Sequence, residues 1–235
     1  MIYIFDIDGT LTPSRNPMDS KFKEWFTDWS SNKRVWMVTG SDRSKSLEQL
    51  GELLNTFERV YQCAGNAVYK KGKLVYKNDY TMSKKVKVYL DKVLKESKYP
   101  IKTGKHFEYR QGSANFSTIG RNCTQEQRDE YYSWDRENKE REKIVKDFNE
   151  IFQDVTIAVG GQISLDVMPV DRDKGQILND ITSPFTFFGD HLFPGGNDFP
   201  ILKKALEEKK FNDNKFYHVD NWQHTWEILK LIHLT

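Results

Sequence analysis

Apolar residues run in two rhythms along this chain. The first is a set of short unbroken runs. Met1 to Phe5, Arg34 to Val38 and Phe185 to Phe188 are each four or five residues long, and each stops at polar or glycine-bearing residues. Runs of that length predict strands buried on both faces, as in a parallel sheet. Arg59 to Cys63 and Phe216 to Val219 read as further strands. Between them the spacing turns helical. Ser44 to Leu54 puts Leu47, Leu50 and Leu54 on one side, and Lys174 to Ile181, Asp198 to Lys209 and Trp222 to Ile232 read as helices. Strands alternating with helices predict a parallel sheet covered by helices.

The second rhythm fills the middle. Ala67 to Tyr76 predicts a hairpin turning at Lys71-Gly72. Thr81 to Ser97 predicts an amphipathic helix with Val86, Tyr89, Leu90, Val93 and Leu94 as its stripe and its lysines in solvent. Phe107 to Arg110 and Ala114 to Ile119 read as paired strands, and so do Asp154 to Val159 and Gln162 to Val167, separated at Gly160-Gly161. Thr124 followed by Gln127 fits a capping box at the head of a helix. That helix is expected to continue into the charged run Asp135 to Lys143 as an exposed face. Paired strands with separate helices describe an α+β unit on an antiparallel sheet. The expectation is an α/β core domain of residues 1–80 and 173–235, split by an inserted cap domain of residues 81–172. An insertion at the end of a parallel sheet is suited to act as a lid.

Composition narrows the function classes. Lys plus Arg number 36 against 34 Asp plus Glu, a net charge of +2, too little to argue for nucleic acid or an anionic membrane as partner. Cys63 and Cys123 make no disulfide framework and suit a reducing compartment. The apolar start is too short for a signal peptide, and no run approaches membrane-spanning length. A soluble, cytoplasmic protein is expected. Asn115-Phe116-Ser117 and Asn122-Cys123-Thr124 match the glycosylation pattern by chance.

The candidate chemistry sits where the apolar runs stop. The first runs into Asp6-Ile7-Asp8-Gly9, and residues two apart in extended chain face one way, so Asp6 and Asp8 can share a pocket. Two close carboxylates need a cation or a shared proton. The pattern predicts Asp6 as a metal-bound nucleophile and Asp8 as the acid/base that carries the proton. A third run ends at Gly189-Asp190, followed by Pro194-Gly195-Gly196-Asn197-Asp198. Asp190 can complete a site for magnesium, which prefers hard oxygens, begun by Asp6 and the backbone carbonyl of Asp8. Asp198 can orient a metal-bound water or pair with Lys174, and an ammonium at Lys174 would restrain the nucleophile. Within the insertion, Arg110, Arg121 and Arg128 are a guanidinium set suited to a phosphate, with Arg15 a fourth from the core. Ser164 and Asp166 share one strand face, where they can hydrogen-bond sugar hydroxyls.

With these segments in view, the chain resembles the eukaryotic-type phosphomannomutases of the haloacid dehalogenase superfamily. The resemblance rests on DIDGTLTPSR (Asp6 to Arg15), GSDRSKSLEQLG (Gly40 to Gly51), RQGSANFSTIGRNC (Arg110 to Cys123), GGQISLDVMP (Gly160 to Pro169) and FFGDHLFPGGND (Phe187 to Asp198). Thr39 stands where glycine is usual, although Ser41 is retained. Gln111 and Ser113 replace more typical residues, and the usual cation-binding loop residues after Asp198 are missing. The resemblance implies a Rossmann-like core, an α+β cap and a homodimer formed through the cap. It implies Mg²⁺ on Asp6, Asp8 and Asp190. Arg15, Ser41, Arg110, Arg121, Arg128, Ser164 and Asp166 would bind the phosphosugar.

The activity so implied interconverts mannose 6-phosphate and mannose 1-phosphate, with a hexose 1,6-bisphosphate as activator and GDP-mannose supply as the role. A magnesium-dependent sugar-phosphate phosphatase on the same scaffold is the alternative. The two differ in how well water is kept from the aspartyl phosphate. A catalytically silent binding module is a third reading, opposed by the intact acids and Lys174.

Overall fold

The computed structural model describes residues 1–160, 162–209 and 211–233. Gly161, half of the expected Gly160-Gly161 turn, lies outside the described residues. The chain divides into two compact units, Met1–Lys77 with Asp171–Thr235 and Asn78–Val170.

The first unit is built on a seven-stranded sheet. Its strands are β1 (Ile2–Phe5), β2 (Arg34–Val38), β3 (Arg59–Gln62), β4 (Ala67–Lys70), β5 (Lys73–Lys77), β10 (Phe185–Gly189) and β11 (Lys215–His218). Their order is β11-β10-β1-β2-β3-β4-β5. The five strands from β11 to β3 run parallel, and β4 and β5 extend the sheet as an antiparallel hairpin. The hairpin turns at Lys71 (φ 47°) and Gly72 (φ 76°), both left-handed as a tight two-residue turn requires.

Side chains alternate across this sheet. Phe5, Met37, Val60 and Phe188 pack on one face with α1 (Ser20–Ser30), α2 (Arg43–Leu50) and α7 (Trp222–His233). Ile4, Trp36, Tyr61 and Phe187 pack on the other with a 3₁₀ segment, Lys174–Asp180, and α6 (Phe199–Glu208). The result is a three-layer α/β/α unit with the carboxyl ends of β1, β2 and β10 side by side. The first helix adds an element that the sequence reading left unassigned. Asp19 caps it, accepting from the backbone N–H of Lys21 and Phe22, both at 3.0 Å. The helix expected over Ser44 to Leu54 stops at Leu50, because Gly51 turns left-handed (φ 57°) and the chain tightens into a 3₁₀ turn.

The second unit holds a four-stranded antiparallel sheet in the order β6-β7-β9-β8. Its strands are β6 (Phe107–Arg110), β7 (Ser113–Phe116), β8 (Val155–Gly160) and β9 (Ser164–Pro169). Ala114, Phe116, Leu165 and Val167 face a core made with α3 (Lys84–Glu96) and α5 (Glu140–Ile151). The opposite face is polar. The capping box heads α4 (Gln125–Asn138), with Thr124 Oγ1 accepting from Gln127 N at 3.2 Å and Gln127 Oε1 from Thr124 N at 3.0 Å. The charged run does not continue as one exposed helix. Lys139 turns left-handed (φ 56°) between α4 and α5, and Asp135 and Arg141 are buried as a pair 2.8 Å apart. A six-residue separation across a turn lets the carboxylate accept both the Arg141 backbone N–H and its Nε.

Candidate active site

Beyond β1 the chain folds into a compact loop in which Ile7 O accepts from the backbone N–H of Thr10, Leu11 and Thr12, and Thr12 O accepts from Gly9 N. Gly9 has φ 78°, and any Cβ there would collide with the Asp190 carboxylate. Parallel pairing of β1 with β10 places Phe5 against Phe188, and Asp6 N donates to Phe188 O at 3.0 Å. Asp6 and Asp190 therefore leave neighbouring strand ends together.

Asp6, Lys174 and Asp198 form the buried centre. Lys174 Nζ donates to Asp6 Oδ1 at 2.8 Å and to Asp198 Oδ1 at 2.7 Å. All three side chains are at most 4 % exposed, so the charges meet in low dielectric. Asp198 does not cap α6. Its carboxylate turns back to Lys174 and to the backbone N–H of His191, 3.2 Å away. Burial pushes Asp6 up to about 8, against the pull of the Lys174 ammonium. Burial would lower Lys174, but the Asp198 and Asp6 carboxylates outweigh it and raise it above the ordinary lysine range. Burial also raises Asp190, which His191 partly offsets.

The Asp190, His191 and Asp198 ligand atoms lie within 4.8 Å of one another, a donor set able to hold a cation. Asp190 Oδ1 is buried, with His191 Nδ1 2.9 Å away. A carboxylate oxygen and an imidazole nitrogen this close can both serve a divalent ion.

Asp8 is half-buried, and its Oδ1 accepts from the Arg15 backbone N–H at 2.6 Å and from Gln49 Nε2 at 3.0 Å. Arg15 itself has φ 61° and an exposed side chain. Ser41 follows β2 at the same end of the sheet, its N–H on Thr39 Oγ1 at 3.0 Å.

In the second unit the predicted residues meet on the polar sheet face. Cross-strand pairing sets Glu108, Asn115 and Asp166 in one row. Arg121 Nε lies 2.8 Å from Glu108 Oε2, and its Nη1 donates to Asn115 Oδ1 at 2.9 Å and Ser164 Oγ at 3.3 Å. Asn115 Nδ2 donates to Asp166 Oδ1 at 2.8 Å. Arg110 closes the circuit, 3.7 Å from Asp166 Oδ1 and 3.1 Å from Glu108 Oε2. Arg128 sits in the first turn of α4. Burial lowers the pKa of Arg121, Glu108 opposes that, and Arg110 and Arg128 add to it, so the three guanidiniums act on one another. Glu108 and Asn115 are the members that sequence reasoning missed. The alternation of β6 and β7 was the available signal, since it puts both on the face carrying Arg110.

A sequence model of the family described as "Eukaryotic phosphomannomutase" matches residues 22–230. The chain is 38 % identical to a phosphomannomutase of Drosophila melanogaster over 217 residues, 86 % of this chain and 85 % of that one. It is 37 % identical to a phosphomannomutase of Dendrobium officinale over 214 residues, with the same coverage of each. Among solved structures it is similar to the C-terminal domain of the trehalose-6-phosphate phosphatase of C. albicans, with a TM-score of 0.64 at 17 % identity over 98 % of this chain and 91 % of that one. That likeness shows the fold alone.

Proposed function

The chain belongs to the eukaryotic phosphomannomutase family, enzymes of the isomerase class, and on that premise we propose the chemistry its residues perform. The proposed reaction interconverts mannose 6-phosphate and mannose 1-phosphate. The observation that supports it is the pairing of a restrained nucleophile with a free acid/base on one loop. Asp6 is held by Lys174, and Asp8 is anchored, among the described residues, through its Oδ1.

A hexose 1,6-bisphosphate phosphorylates Asp6. The sugar hydroxyl then attacks phosphorus as Asp8 removes its proton and the bond to the Asp6 oxygen breaks. The resulting bisphosphate returns its other phosphoryl group to Asp6, with Asp8 now donating the proton to the leaving oxygen. Arg15, Ser41, Arg110, Arg121 and Arg128 bind phosphate, and Ser164 and Asp166 bind sugar hydroxyls. Mg²⁺ fits the acids present. Asp6, Asp190 and the Asp8 carbonyl would hold it, and it would supply charge neutralisation for the transferring phosphoryl group. No helix among the described residues is long and apolar enough to cross a membrane. A cytoplasmic homodimer, joined through the second unit and supplying mannose 1-phosphate for GDP-mannose, completes the reading.

A phosphorus NMR time course with mannose 6-phosphate and Mg²⁺, with and without the bisphosphate, tests it. Bisphosphate-dependent appearance of mannose 1-phosphate is expected. Release of inorganic phosphate without isomerisation would identify a sugar-phosphate phosphatase instead.

A further inference from the structure

Gln49 lies on α2, forty-one residues from Asp8 in sequence, yet its side-chain amide is buried against the acid/base. Nε2 donates to Asp8 Oδ1 at 3.0 Å and to Thr12 Oγ1 at 3.0 Å. The backbone of Gln49 is fixed as well, since its carbonyl accepts from Met18 N at 2.9 Å. Leu50 beside it is fully buried, so the helix end cannot slide without opening the core. The Gln49 carbonyl oxygen, Oε1, is buried and accepts no hydrogen bond among the described residues. An amide that leaves its own acceptor unsatisfied in the interior gives up about a hydrogen bond's worth of stability. Its other end must therefore matter where it is.

Asp8 Oδ1 already receives the Arg15 backbone N–H. With Gln49 added, two donors converge on one oxygen, and Oδ2 forms no hydrogen bond among the described residues. The carboxylate is thus fixed in rotation about its Cβ–Cγ bond, with one oxygen tied and one free to take or give a proton. We propose that Gln49 is a positioning residue for the acid/base, holding Asp8 so that Oδ2 faces the reacting oxygen. This rests on the role given to Asp8 above. In the step concerned, the bond from phosphorus to the sugar oxygen breaks, the phosphoryl group goes to Asp6, and the Asp8 proton goes to the departing oxygen. A sugar alkoxide needs that proton, whereas a nitrophenolate does not.

The experiment compares formation of the aspartyl phosphate from two donors, a hexose 1,6-bisphosphate and p-nitrophenyl phosphate, in the full-length protein with Mg²⁺. Asp8→Asn is expected to slow the sugar donor on the order of 10²–10⁴-fold and the aryl donor only a few-fold. Gln49→Met, which keeps the volume and removes the donor, is expected to show the same asymmetry at roughly ten- to a hundred-fold, with KM little changed. Parallel loss on both donors would show that Gln49 only supports the fold, and no loss on either would show that Asp8 needs no anchor. Both results overturn the proposal while Asp8→Asn still shows its asymmetry. Symmetry in Asp8→Asn would instead remove the reading of Asp8, and the proposal with it. Should Gln49→Met fold poorly, Thr12→Val keeps Gln49 and loosens the amide. A smaller asymmetry of the same sign is then expected, and a parallel loss counts against the idea.

Discussion

The acidic centre of the first unit and the guanidinium circuit of the second solve opposite problems. Asp6, Lys174 and Asp198 are removed from water, and two carboxylates share one ammonium. Arg110, Arg121, Glu108 and Asp166 stay a quarter to two-fifths exposed, so solvent screens them. A buried charge is held by few partners at high stakes, because losing one leaves another uncompensated. A screened circuit can exchange an internal carboxylate for a ligand phosphate at small cost. Chemistry needs the first kind of site. Repeated binding and release of an anion needs the second.

The comparison breaks most sharply at the nucleophile. Asp6→Asn should abolish turnover measured by phosphorus NMR while leaving the fold intact. The amide is isosteric and uncharged, so it escapes the desolvation penalty that raises the Asp6 pKa. If activity survives at the wild-type rate, the buried centre is not where phosphoryl transfer occurs.

Next in size is Lys174→Met. It leaves Asp6 and Asp198 facing each other without their shared cation. Breaking a buried pair by removing one partner costs about 3–5 kcal/mol. Thermal melting of the variant should show a large drop, and the double change with Asp198→Asn should recover part of it. In contrast, Arg110→Met in the exposed circuit should move the melting temperature little. Equal effects at the two positions would erase the distinction drawn above.

What the sequence disclosed follows the same division. Asp6, Asp8 and Asp190 could be read because each ends an apolar run, and strand pairing then brings the ends together. Lys174 could be named, although nothing local marks it as buried. The sheet order and the antiparallel β4–β5 extension depend on long-range pairing that no local pattern encodes. Glu108 and Asn115 join the guanidinium circuit through cross-strand neighbours, a relation that needs register as well as period. Gln49 reads as an ordinary polar residue of a helix until that helix end is docked beside Asp8. The left-handed Lys139 escaped because lysine carries no turn signal, and the structure spends strain there to join α4 and α5. The stripe Phe22, Trp25, Phe26 and Trp29 had helical spacing throughout, so α1 was legible but unassigned.

A smaller effect sharpens the electrostatic side. Burial raises the Asp6 pKa to about 8 against the pull of Lys174, so a proton competes for this carboxylate as pH falls below that range. Its folded value exceeds the unfolded one near 3.8. The sign is therefore unusual for a carboxylate. The stability it contributes is full below about pH 4 and is lost as pH rises through 8. A divalent ion binding there must displace the proton. Mg²⁺ affinity by calorimetry should rise up to about tenfold per pH unit between pH 6 and 8, and then flatten. The proton released should show as a buffer-dependent heat. The guanidiniums of the second unit stay charged throughout, so any pH slope in phosphate binding there would come from the ligand's own second ionisation at about pH 6. An affinity for Mg²⁺ independent of pH over this range would mean that the ion does not meet Asp6.

The smallest expected effect concerns Glu108. Its carboxylate occupies Arg121 Nε and Arg110 Nη2, so it both orients and partly neutralises the guanidiniums. Glu108→Gln keeps the shape and removes the charge. Two tendencies then compete. Freed positive charge favours a phosphate, and loss of orientation disfavours it. Each exposed ion pair is worth about 0.2–1 kcal/mol, so the net change in KM for mannose 6-phosphate should stay within a few-fold, with kcat unchanged. Arg121→Gln, which removes the donor itself and leaves Glu108 and Asn115 without their shared partner, should raise KM about ten-fold or more. The order of these two effects is the discriminating result. If Glu108→Gln proves the more damaging, the circuit works as a rigid frame whose geometry outweighs its charge, and the second unit resembles the buried centre more than its exposure suggests.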